Sequence, residues 1–123
     1  MKILAIDPGT THSGYVIWDD KVLEFGKIVN KDIIPKIKGT ITLIEQQDYV
    51  TKGNLNFIRT AEWAGRFFQA ASLPFFFGRN EMKSVYGLKK DTDVKKFIKE
   101  KYNIKLSYDS WQAFLLIHHY LNI

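Results

Sequence analysis

Three carboxylates stand at positions where side chains can converge. Asp7 closes the apolar run Ile3-Leu4-Ala5-Ile6, Glu45 closes Ile41-Thr42-Leu43-Ile44, and Asp109 precedes the apolar segment from Trp111 to Ile117. Carboxylates gathered at strand ends repel one another and call for a cation between them. An all-oxygen donor set suits Mg²⁺ or Mn²⁺ better than zinc. Two such ions, about 3.5–4 Å apart, would activate a water and stabilise the leaving oxygen in an in-line phosphodiester displacement. The chemistry this implies is that of a hydrolytic nuclease.

Each acid also has a plainer reading. Asp7-Pro8-Gly9-Thr10 has the composition of a simple turn. Asp109 lies three residues before Gln112, the spacing of a helix capping box in which neither residue touches a metal. Glu45 is harder to reduce to structure, because an acid at the end of a buried strand is costly without a cation.

Placing these residues requires a sheet. Lys2 to Asp7, Gly14 to Trp18 and Val22 to Val29 predict three antiparallel strands with turns at Asp7-Pro8-Gly9-Thr10-Thr11 and Asp19-Asp20-Lys21. Gly39 to Glu45 and the Phe75-Phe76-Phe77 run predict two further buried strands. Between them, Phe57, Ala61, Ala64, Phe68 and Ala71 recur with helical period and define the inner face of a helix that Pro74 ends. Asp91 is placed as the N-cap of a second helix, and a third runs from about Tyr108 to the terminus. The expected fold is α/β, a mixed sheet between helices. Ligands collect at the carboxyl ends of strands in such sheets.

At 123 residues, with 46% hydrophobic and 15% aromatic residues, the expectation is one domain over residues 1–123 with a real core. Eighteen Lys and Arg against 13 Asp and Glu leave a net charge of +5, which favours polyanionic partners. The absence of cysteine excludes disulfides and thiol catalysis. No stretch has the roughly 18 apolar residues of a membrane span, and no signal segment is evident, so a cytoplasmic protein without membrane contact is expected.

The segment Ile3-Leu4-Ala5-Ile6-Asp7-Pro8-Gly9-Thr10-Thr11-His12-Ser13-Gly14-Tyr15 resembles the N-terminal signature of the RuvC-type Holliday junction resolvases, and Ile44-Glu45-Gln46 resembles their second acidic motif. Ala61 to Gly65, Leu73-Pro74, Lys83-Ser84-Val85-Tyr86-Gly87 and Asp109-Ser110-Trp111-Gln112-Ala113 follow in family order, so the resemblance spans nearly the whole chain. It implies an RNase H-like fold: a five-stranded mixed sheet, with an antiparallel β1-β2-β3 meander and two parallel strands, flanked by helices. It also implies a homodimer acting in DNA recombination and repair, which uses Mg²⁺ or Mn²⁺, two ions per site, to place paired symmetric nicks across a four-way junction. On this resemblance Asp7, Glu45 and Asp109 would be metal ligands, and Lys83 matches a basic residue that the family places near the scissile phosphate.

The chain departs from the pattern at three places. Gln112 stands where the family has its last acid, leaving either a weaker amide ligand or no partner for Asp109. Asp91 stands where a basic residue is expected, with Lys89 and Lys90 beside it. The connection from Lys31 to Lys38 is taken as too short for the helix that bacterial members carry between their third and fourth strands, which suggests a viral or phage-like form.

For DNA contact, Tyr49 could stack on an unpaired base and Lys52 could meet a phosphate, although a solvated connector fits that loop as well. Lys36, Lys38, Lys83, Lys89 and Lys90 could supply backbone charge, whereas Lys95, Lys96, Lys99 and Lys101 have the spacing of a solvated helix face. His118 and His119 are assigned to an interface or the surface. One rival is an actin-like or sugar-kinase-like nucleotide binder, which shares a similar first loop; it needs two lobes, so no nucleotide cofactor is expected. A second rival is a catalytically weakened DNA-binding module.

Overall fold

Successive side chains of a strand point to opposite faces, so an acid's position in its strand decides which helix layer it meets. The computed structural model describes residues 1–47, 55–107 and 109–122. In it the two acid-terminated runs become β1 (Ile3–Asp7) and β4 (Ile41–Gln46). They pair in parallel, Ile3 opposite Ile41 and Ile6 opposite Ile44. Both strands lie inside the sheet and are covered on both faces, which explains their continuous apolar composition. β2 (His12–Trp18) and β3 (Val22–Val29) complete the antiparallel meander. β5 (Leu73–Gly78) pairs in parallel with β4, giving a five-stranded sheet in the order β3-β2-β1-β4-β5. The expected mixed sheet flanked by helices is the observed one.

Among the described residues, five helices cover the two faces. α1 (Asn30–Ile37) and α2 (Leu55–Ala70) bring Ile33, Ile37, Ala64 and Phe67 against Leu4, Ile6 and Ile44. On the opposite face α3 (Arg79–Val85), α4 (Asp91–Tyr102) and α5 (Ser110–Leu121) bring Met82, Val94, Ile98 and Phe114 against Ile3, Ala5 and Leu43. α5 is buried continuously from Ser110 to His118, so it needs no amphipathic stripe.

Several expectations are corrected. The connection after β3 does hold a helix: α1 is eight residues long, and Pro35 lies inside it. Ile33 and Ile37, four residues apart, anchor its inner face, and that burial outweighs the amide hydrogen bond lost at Pro35. α3 is likewise an additional helix. The inner face of α2 is Thr60, Ala64 and Phe67; Ala61 is exposed and Phe68 is displaced to the edge, where it stacks on Phe76 at 4.6 Å between ring centroids. The Phe75 run lies on an edge strand and leaves Leu73 and Phe75 exposed, a placement that also tolerates Pro74. Asp91 is not the cap of α4: Lys90 holds that position, and Asp93 Oδ2 accepts from the backbone N–H groups of Lys89 and Lys90 at 3.2 and 2.9 Å. His118 is a core residue, bonded to the Tyr102 hydroxyl through Nδ1 and packed edge-on against Phe97 and Tyr86.

Candidate functional site

The period of two sets the position of the site. Ile3 and Ala5 face the α5 layer, so Asp7 does too; Ile41 and Leu43 do the same in β4, so Glu45 follows. Each acid lies one residue beyond the last paired position, Ile6 opposite Ile44, so the two are level on adjacent strands. The next strand completes the arrangement. Glu45 is opposite Phe77 and Gln46 is opposite Gly78, so Arg79, the first residue of α3, emerges beside both acids.

The turn after Asp7 is built for its place. A Cβ on Gly9 would fall 2.1 Å from the His12 carbonyl oxygen, so only glycine fits. The Gly9 N–H donates to Ser13 Oγ at 3.2 Å, Ser13 donates to Asn30 Oδ1, and Asn30 Nδ2 donates to the Gly9 carbonyl at 3.0 Å. Ser13 and Asn30 are buried, so this turn is locked from beneath by β2 and α1.

Asp109 reaches the site from above, at the N-cap of α5. Ser110 Oγ bonds the carbonyls of Tyr15 and Gly26, each at 3.2 Å, pinning the helix start onto β2 and β3. Gly14 makes the approach possible: a Cβ there would lie 2.7 Å from both Asp109 Cβ and Asp109 O. The capping-box reading fails, because the Asp109 side chain caps nothing; its Oδ2 pairs with Lys27 Nζ at 3.1 Å.

A cavity of about 150 Å³ lies between these elements, lined by Asp7, Arg79, Asp91, Asp109, Trp111 and Gln112 among others. Glu45, at 2% exposure, does not line it but borders a second cavity of about 150 Å³ under α2, with Gln46, Thr60, Ala64 and Phe76. Arg79 Nε comes within 2.5 Å of Glu45 Oε1, and Nη2 lies 3.9 Å from Asp7 Oδ1. The close pair is a short charge contact whose hydrogen-bond alignment is poor. Burial, then the charge of Glu45, pushes the Asp7 carboxyl well above the ordinary carboxylate range, against the pull of Arg79. Burial likewise raises Glu45, with Arg79 and Lys83 opposing.

The sequence-selected residues divide as follows. Asp7, Asp109 and Gln112 share the cavity, and Glu45 joins Asp7 through Arg79. Lys83 is buried in α3 and donates to Asp91 Oδ1 at 2.8 Å. Lys89 and Lys90 are exposed, and Lys89 shares a shallow cleft with Lys83. Tyr49 and Lys52 lie outside the described residues. Arg79 and Asp91 were not singled out as site residues by sequence. The available signal for Arg79 was its position just past Gly78, at the carboxyl end of a parallel strand.

Among the described residues, no three carboxylate, histidine or cysteine side chains come together closely enough to hold one ion as they stand. Asp7 and Glu45 nonetheless suit a divalent ion. They are oxygen donors facing one cation, Glu45 buried and Asp7 partly so, and Glu45 Oε1 is met by a poorly aligned guanidinium.

No family model and no curated protein matches the sequence. Solved structures do. Thermus thermophilus RuvC in complex with Holliday junction substrate matches at a TM-score of 0.67 and 15% identity, over 94% of this chain and 90% of that one. A second T. thermophilus RuvC structure matches at a TM-score of 0.65 and 16% identity, over 99% of this chain and 96% of that one. At that identity the likeness lies in the architecture, and the architecture of this chain is the RuvC, RNase H-like fold.

Proposed function

We propose that the chain is a metal-dependent endodeoxyribonuclease that resolves four-way DNA junctions by paired symmetric nicks. The observation that carries this reading is the meeting of Asp7 and Glu45, level on adjacent parallel strands and gathered about one cation, in a fold shared with a protein solved on a Holliday junction. Asp7 and Glu45 would hold Mg²⁺ or Mn²⁺, with Asp109 and the Gln112 amide oxygen facing the same cavity as further donors. Bound ions would supply a nucleophilic water and charge stabilisation at the leaving oxygen. Lys83, whose charge reaches Glu45, would hold a backbone phosphate at the rim. Lys89 and Lys90 would extend that contact, and Tyr49 and Lys52 remain proposed DNA contacts. The apolar residues that α2 exposes, Leu55, Ile58 and Phe68, support self-association, which paired nicking requires.

A second reading, a DNA-binding module without catalysis, draws support from Gln112 in place of an acid and from the guanidinium lodged between Asp7 and Glu45. One variant separates the two. Asp7→Asn is expected to reduce Mg²⁺-dependent cleavage of a synthetic four-way junction at least about a thousandfold while leaving junction binding in EDTA intact. Undiminished cleavage would remove Asp7 from the site, and absence of cleavage by the wild-type protein would favour the binding module.

A further inference from the structure

Arg79 occupies the space that the metal reading reserves for an ion. Its Nε is 2.5 Å from Glu45 and its Nη2 3.9 Å from Asp7, so one guanidinium bridges both acids. Burial disfavours the arginine cation, but Glu45 and Asp7 outweigh that and keep it charged. The bridge is nevertheless imperfect, because the short contact of Arg79 Nε with Glu45 Oε1 is poorly aligned for a hydrogen bond. A buried ion pair with imperfect geometry gives little net stability. It does neutralise two carboxylates that would otherwise repel at close range. Room to move lies next door: Arg79 lines the cavity of about 150 Å³, on whose wall stands Asp91, a half-exposed carboxylate able to receive a displaced guanidinium.

We infer that Arg79 is the resident counter-cation of the metal-free site and that a divalent ion binds between Asp7 and Glu45 only by displacing it towards Asp91. A guanidinium and a divalent ion cannot share this space, since like charges at a few ångströms in a partly buried site repel strongly. Arg79 therefore sets the affinity for metal and is a positioning residue for the acids. The inference rests on the proposed metal site, but not on DNA cleavage.

The test is calorimetric titration of the DNA-free protein with Mn²⁺. Arg79→Gln is expected to bind at least about tenfold more tightly than wild type, and adding Asp7→Asn to it should abolish that gain. Equal or weaker binding by Arg79→Gln, or no binding by either protein, would overturn the inference. In case this variant fails to fold, the Nε–H resonance of Arg79 in the wild-type protein provides a second measurement. It should be protected from solvent exchange in EDTA and lost or strongly shifted by saturating Mg²⁺; an unmoved resonance in a metal-bound protein would overturn displacement. A protein that shows the tenfold gain but cuts no junction would refute the nuclease reading and uphold the displacement. One that cuts junctions with unchanged affinity would do the reverse.

Discussion

Asp7 and Glu45 differ in what opposes their ionisation. Both are disfavoured by burial, but the charge of Glu45 also weighs on Asp7, and Arg79 offsets only part of it. A carboxyl with a higher pKa folded than unfolded stabilises the fold fully below the unfolded pKa of about 4, and that contribution is lost as pH rises through the folded value. The metal-free protein should therefore lose stability from Asp7 as pH rises, and Asp7→Asn should remove the loss. In EDTA at pH 8 the variant is expected to be more stable by about 1 kcal/mol, a rise in Tm of about 4 °C. At pH 5 the gain should shrink. Thermal melts at both pH values check this, and an equal gap at both would contradict it. The acids were legible in sequence because strand ends are, whereas Arg79 was not. Its place depends on the pairing of β5 with β4, a contact across more than thirty residues of chain that no local pattern records.

At the scale of elements, the start of α5 is the device that brings Asp109 to the strand ends. Ser110 bonds two strand carbonyls, and Gly14 leaves space for the Asp109 backbone. Gly14→Ala would force the helix start and β2 apart, at an expected cost of about 1–3 kcal/mol and with a loss of cleavage exceeding the loss of folded protein. Urea unfolding and cleavage, measured on the same preparation, test this; unchanged values would show that Asp109 needs no such approach. Continuous apolar runs made β1, β4 and α5 readable. They misled at α1, where Pro35 and the flanking lysines hid a helix whose burial comes from Ile33 and Ile37, and at Asp91, whose side chain turns to Lys83 while Asp93 does the capping.

Across the whole molecule, one sheet separates two helix layers; Asp7 and Asp109 open into the layer of α3, α4 and α5, while Glu45 also borders the cavity under α2. Asp7, Asp91 and Asp109 outnumber Arg79 and Lys95 in that cavity, within a chain of net charge +5, so the excess positive charge lies outside it. This distribution suits a polyanion held at the rim and cut over the acids. The antiparallel meander was readable from alternation and turns; the parallel pairings and the edge position of the Phe75 run were not, because a run buried on both faces and one on an edge share the same composition. The central claim is junction cleavage, and product mapping tests it most directly. Incubated with Mg²⁺, a synthetic four-way junction should yield two nicks placed symmetrically on opposed strands, while a linear duplex of the same sequence stays intact. Equal cutting of duplex and junction, or no cutting of either, would contradict the account.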